Sequence, residues 1–142
     1  MIKIWAGGKK NPWVMEMVAE YQKRCLKPYD QEWEFFEEEK LLKKLSPWPF
    51  TGRDFVIICD ERGKMMSSPE FSSALEKAFV SGKNVVILIG GAYGFSEEIR
   101  AKADLIWSFS KLVFPHRIAD VIVSEQIYRA EQIAKGTPYH HE

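Results

Sequence analysis

The feature that most restricts the fold is a pair of unbroken apolar runs, residues 55–59 and 85–89. Asp60-Glu61-Arg62-Gly63 ends the first and Gly90-Gly91 ends the second. A strand with one wet face alternates apolar and polar side chains, whereas a strand apolar at every position is covered on both faces. Sheets covered on both faces are mostly parallel, with crossover helices joining their strands. Helical spacing occurs where such crossovers are needed. Pro12 opens a helix to about Leu26, with Trp13, Val14, Met17, Val18, Tyr21 and Cys25 on its apolar positions and Pro28 beyond its end. Ser67-Ser68-Pro69-Glu70 reads as a capped helix start; the helix runs to about Ser81, with Gly82 as its stop. Ser96 caps a short helix that carries Glu97 and Glu98 in its first turn. A long helix spans residues 116–135, apolar over a broad face, and Gly136 closes it.

Residues 2–6, 33–36 and 104–108 complete the strands, and residues 112–114 form a further short apolar segment. Residues 37–44 read as a solvated helix or loop with no site, and residues 60–64 as a turn. The fold class expected is α/β, a mainly parallel sheet with flanking helices. Domains hold roughly 100–200 residues, so residues 1–142 are expected to form one domain.

Composition narrows the function classes. The 20 basic and 20 acidic residues cancel, whereas proteins that bind nucleic acid through phosphates carry a basic excess. An RNA partner therefore needs basic residues gathered on one face, or patches combined from two subunits. Lys9, Lys10, Lys23, Arg24 and Lys27 either form such a patch or solvate a helix. Cys25 and Cys59 cannot build a disulfide framework and fit a reducing compartment. No apolar run approaches the roughly 18–20 residues of a membrane span. The N-terminus lacks the order of a signal peptide, so a cytoplasmic protein is expected.

Ligands of parallel sheets sit at the carboxyl ends of the strands. Those ends are Gly7-Gly8, Asp60, Gly90-Gly91 and the loop around residues 108–115. Glycines just past a buried strand permit either a tight turn or close approach of backbone to a ligand. Gly90, Gly91 and Gly94 do not have GxGxxG spacing, and Gly63-Lys64 lacks the rest of a P-loop, so dinucleotide and NTP enzymes are disfavoured. His116 at the start of the last helix is either structural or catalytic. His140 and His141 lie in a polar tail, residues 137–142, that is either frayed or a cluster of proton-carrying groups with Tyr139. No spacing of ligand residues completes a metal site, and Cys59 in an apolar strand reads as an inert thiol.

Four segments taken in order carry a family resemblance: Leu88-Ile89-Gly90-Gly91 with Gly94; Trp107-Ser108-Phe109-Ser110 leading to Phe114-Pro115-His116; Glu125-Gln126-Ile127-Tyr128-Arg129-Ala130; and Pro138-Tyr139-His140. Over its whole length the chain resembles the RlmH family of SPOUT-class methyltransferases. The resemblance implies an enzyme that methylates N3 of a pseudouridine in 23S rRNA on the assembled ribosome, using S-adenosyl-L-methionine. It also implies a C-terminal trefoil knot, which general topology rules disfavour, and a homodimer paired through knot helices. Cofactor contacts are implied at Cys59, Gly91, Ser110, Lys111, Leu112, Val113, Phe114 and Pro115. Tyr139 and His140 are implied to position the base or touch the target, and His116 and Arg129 to orient groups or hold phosphate. No metal is implied.

Three positions depart from the family pattern. Asp120 stands where relatives commonly carry arginine, with Arg117 three residues before it. His141 replaces a basic residue, and Ala92 replaces the proline of Gly-Gly-Pro. The alternative reading is a non-catalytic ribosome-binding protein of the same fold.

Overall fold

A computed structural model describes residues 1–141, so Glu142 of the expected tail lies outside the described residues. Five strands form one all-parallel sheet: β1 (Ile2–Gly7), β2 (Gln31–Phe36), β3 (Asp54–Met65), β4 (Asn84–Ile89) and β5 (Leu105–Ser108), in the order β2-β1-β4-β3-β5. The two apolar runs are neighbours, with Phe55 opposite Val85 and Cys59 opposite Ile89. Val56, Ile57 and Ile58 are fully shielded, as are Val85 to Ile89, because helices cover both faces.

On one face lie α1 (Pro12–Gln22), α3 (Ser68–Val80) and α5 (His116–Lys135), over a core of Ile2, Ile4, Ile57, Ile87, Phe71 and Ile127. α5 packs on both α1 and α3. Two buried serines fix that packing: Ser72 Oγ donates to the Ala130 carbonyl (2.8 Å), and Ser124 Oγ donates to Gln31 Oε1 (2.8 Å) and lies 3.1 Å from the Val18 carbonyl. On the other face, α2 (Glu38–Lys44) and α4 (Glu97–Arg100) accompany Leu41, Leu45, Val56, Ile58, Leu88 and Phe95.

Five sequence expectations shift. α1 ends at Gln22 rather than near Leu26, and Trp13, assigned to its apolar face, is 60% exposed. Residues 37–44 are more than a solvated segment, because α2 buries Leu41 and the following Leu45 against the sheet. Residues 60–64 are no turn. β3 continues to Met65, and a bulge between Cys59 and Lys64 lets it stay on β5, with Lys64 opposite Trp107. Asp60 supports the bulge by accepting from the Arg62 N–H (2.8 Å). Residues 112–114, the further short apolar segment, lie in a loop. The tail to His140 is folded against α5 rather than frayed. Among the described residues no helix is long and apolar enough to cross a membrane.

Candidate functional site

The carboxyl ends of β3, β4 and β5 open into a cavity of about 180 Å³. Its floor is Cys59 and Ile89, its walls are the turn after β4 and the loop after β5, and His116 and Ala119 of α5 close one side. The turn after β4 requires its glycines. A Cβ on Gly90 would lie 2.8 Å from Gly94 Cα, and one on Gly91 would lie 2.9 Å from the Glu38 carboxyl. Glu38 Oε1 also accepts from the Tyr93 N–H (3.2 Å). The acidic segment of α2, expected to carry no site, therefore buttresses this turn. Only the approach of α2 to the end of β4, set by the sheet order, reveals that.

The loop after β5 is shaped by Leu112 N–H donating to Ser110 Oγ (2.8 Å) and Ser108 Oγ donating to the Ser110 carbonyl (2.8 Å). Leu112 and Val113 are exposed, and Phe114 lies within tilted-ring distance of Phe109 (6.4 Å). Of the expected cofactor contacts, Cys59, Gly91, Ser110, Leu112, Val113 and Phe114 line the cavity; Lys111 and Pro115 belong to the same loop without lining it. At the rim, Arg62 clasps the Asp60 carboxylate through Nε (2.9 Å) and Nη2 (2.8 Å). That clasp holds the Asp60 carboxyl below its usual range. Burial pushes the Cys59 thiol well up, and the Asp120 and Asp60 carboxylates add to the shift, so Cys59 is no nucleophile at neutral pH.

His116 packs where Gly8 leaves room. Gly8 has φ +107°, and a Cβ there would lie 2.5 Å from His116 Nε2. Nε2 is buried without a hydrogen-bond partner among the described residues. One turn further along α5, Asp120 is 3% exposed and burial raises its carboxyl to about 7. Arg117 is exposed, so it does not occupy the place that Asp120 fills.

The remaining expected residues form a second cluster. Glu125 accepts from Arg129 Nη2 (2.8 Å) and from Tyr139 Oη (2.9 Å). The Arg129 guanidinium sits 4.8 Å over the Tyr139 ring, and Arg129 Nη1 lies 3.1 Å from His140 Nδ1. Arginine has only donors, so Nδ1 accepts in this contact. Burial, then the bond to Glu125, pushes the Tyr139 phenol up to about 12. The cluster is thus bonded within itself, with Glu125 accepting from both Arg129 and Tyr139. Glu125 was not assigned a role from sequence, although its spacing from Arg129 is that of a helical ion pair. At 1.5 Å per residue, Glu125 lies roughly 9 Å and Arg129 roughly 15 Å along α5 beyond Ala119, and none of the four cluster residues lines the cavity.

The expected basic patch divides too. Lys23 and Arg24 both pair with Glu20 near the far end of α1, whereas Lys9 and Lys10 precede its start. Among the described residues no group of three or more metal-ligating side chains is assembled.

A family model described as predicted SPOUT methyltransferase matches residues 1–140. A protein named ribosomal RNA large subunit methyltransferase H from Desulfitobacterium hafniense is 38% identical, over 98% of this chain and 98% of its own length. One of the same name from Caldicellulosiruptor bescii is 38% identical over 99% of both. Among solved structures, a probable methylase family protein from Haemophilus influenzae superposes with a TM-score of 0.58 at 12% identity, covering 99% of this chain and 70% of that one. The SpoU methyltransferase AviRb from Streptomyces viridochromogenes, in complex with AdoMet, gives 0.51 at 12% identity over 93% and 58%. At such identities these structures speak for the fold.

Proposed function

This chain belongs to the predicted SPOUT methyltransferase family, and on that premise we propose that it methylates large-subunit ribosomal RNA, at N3 of a pseudouridine in 23S rRNA, with S-adenosyl-L-methionine as donor. The observation that carries the reading is the single cavity in which the end of β3, the Gly90-Gly91 turn and the loop after Ser110 meet. The end-to-end match to relatives named for methylation of the large-subunit RNA supports the substrate.

The cavity suits the donor chemically. Leu112, Val113 and Phe114 offer apolar surface for a purine, and Ser110 lines the cavity beside them, with Lys111 and Pro115 completing the loop. Gly91 lets the β4 turn pass close by, while Cys59 closes the floor as a neutral thiol. The donor carries no phosphate, and the site has no P-loop. When bound, S-adenosyl-L-methionine supplies a methyl group on a sulfonium. The protein must align that methyl with N3 and favour loss of the imide proton. The Tyr139 hydroxyl is spent on Glu125, whereas the N–H groups of Arg129 and His140 suit the negative charge that develops on the pyrimidine oxygens. His116 orients groups at the cavity wall.

In this reading these groups serve the cavity of a second copy. Ile118, Val121 and Ile122 lie half-buried on the side of α5 away from the sheet, the side that also carries Glu125 and Arg129. Burial of that apolar stripe favours a homodimer in which the tail of one subunit completes the cavity of the other. The reading takes residues 1–142 as one cytoplasmic domain with a trefoil knot. The return of the chain from β5 at the sheet edge to Gly8 at the end of β1, where α5 starts, supports the knot.

Calorimetric titration with S-adenosylhomocysteine tests the reading, beside a Gly91→Val variant and a methylation assay on ribosomes that lack the modification. Saturable micromolar binding, lost in the variant and accompanied by methyl transfer, is expected. Binding without transfer turns the reading to a non-catalytic ribosome-binding protein. No binding at millimolar ligand by folded protein overturns it.

A further inference from the structure

Tyr93 is an aromatic side chain at the lip of the cavity, yet it is 90% exposed, the most exposed of the large apolar side chains described. Burying a ring of this size is worth several times a hydrogen bond, so a free ring at the mouth of a binding cavity has an unpaid role in stability and an available face for a ligand. Its backbone is held. Tyr93 N–H donates to Glu38 Oε1 (3.2 Å), and Gly94 N–H donates to the Gly91 carbonyl (3.1 Å), closing a tight turn around it. Glu38 in turn packs against Gly91, where a Cβ would collide with its carboxyl. A fixed backbone thus presents a solvated ring, which suits a surface waiting for a flat partner.

The partner chemistry follows from the surroundings. Lys111 and Arg117 are exposed, on the loop and helix start that border the same cavity, and neither is in an ion pair among the described residues. Arg62, by contrast, is occupied by Asp60. An exposed aromatic face at the mouth of a cavity whose bordering loop and helix carry cations outside any ion pair matches an unstacked nucleobase with its phosphates. We propose that Tyr93 is a stacking platform for a nucleobase of the RNA substrate at the mouth of the cavity, with Glu38 as the positioning residue that holds its backbone in place. This rests on the function proposed above and adds a residue that selects how the RNA enters.

The test measures two quantities on the same proteins: affinity for S-adenosylhomocysteine, and KM and kcat for methylation of unmodified ribosomes. In Tyr93→Ala, KM for ribosomes rises roughly tenfold, within the range base stacking supplies, while affinity for S-adenosylhomocysteine stays within about twofold. Tyr93→Phe keeps the ring and stays near the parent in both. Glu38→Ala raises KM by a smaller factor, and Glu38→Gln, whose amide oxygen still accepts from the Tyr93 N–H, restores it. An unchanged KM in Tyr93→Ala overturns the proposal while leaving the methyltransferase reading intact. So does a loss of S-adenosylhomocysteine affinity in Tyr93→Ala, which would make the ring a cover for the cofactor, or a shift to monomer on sedimentation, which would make it a subunit contact. Failure of the parent protein to bind S-adenosylhomocysteine removes both readings together.

Discussion

Asp120 is the residue whose surroundings disagree most with its chemistry. It sits where the resemblance leads one to expect a cation, it is almost fully buried, and burial lifts its carboxyl to about 7. An unfolded aspartate titrates near 3.8, so between about pH 4 and pH 7 the folded chain holds a proton that the unfolded chain has lost. Stability attributable to this group therefore falls as pH rises through that window and stays low above it. Asparagine keeps the shape and removes the titration. Asp120→Asn should equal the parent near pH 4 and exceed it by on the order of 1–3 kcal/mol at pH 8, read as urea midpoints across pH. A constant difference between the two proteins from pH 4 to pH 8 would refute the assignment. Gly8 makes the complementary case. With φ +107° and His116 Nε2 2.5 Å from any added Cβ, Gly8→Ala should cost about 1–3 kcal/mol of stability. It should also weaken S-adenosylhomocysteine binding, since the displaced imidazole lines the cavity. Neither effect is legible in the sequence. A lone aspartate on a helix and a glycine after a strand are common; the meaning of the first lies in its burial and of the second in an approach to His116 across more than a hundred residues.

At the scale of elements, the legible part was what local chemistry dictates. Ser67 caps α3 as its sequence announces: its Oγ accepts from the Glu70 N–H (3.2 Å) and its own N–H donates to Glu70 Oε1 (3.0 Å). Ser67→Ala should lower stability by about 1 kcal/mol in urea denaturation while leaving S-adenosylhomocysteine affinity alone, because α3 lines no part of the cavity. The bounds of α5 and its left-handed Gly136 stop, at φ +72°, also agree with the sequence. The misread elements are those that pairing decides. Asp60 to Lys64 has the composition of a turn, and it became strand because β5 lies alongside and a bulge absorbs the extra residues. Residues 37–44 have the composition of a solvated segment, yet the sheet order carries α2 from the end of β2 past the glycine turn. Leu41 is thereby buried and Glu38 meets Tyr93. The apolar runs and the glycines locate the cavity from sequence; the residues that hold its walls come from elsewhere in the chain.

At the scale of the whole molecule the question is how two half-sites combine. Ala119 is the last residue of α5 to line the cavity, and the Glu125–Arg129–Tyr139–His140 cluster begins roughly 9 Å further along the helix, with none of its four residues lining the cavity. The Ser72 and Ser124 bonds seat α5 on its neighbours, which keeps the cluster outside the cavity of its own chain. In the homodimer proposed above, packed through the outer side of α5, the cluster of each subunit serves the cavity of the other. Such a composite site makes a prediction that a site within one chain does not share. Gly91→Val disables the cavity of its own subunit, and a double variant Arg129→Ala with His140→Ala disables only what the tail contributes to the partner. Each homodimer should be inactive on ribosomes. Co-expressed or unfolded and refolded together, they form mixed dimers in which one of the two sites combines an intact cavity with an intact tail. Random pairing then restores about a quarter of the parent activity. If both parts act within a single chain, no mixture of the two recovers any activity, and the dimer serves only to bury the apolar stripe of α5.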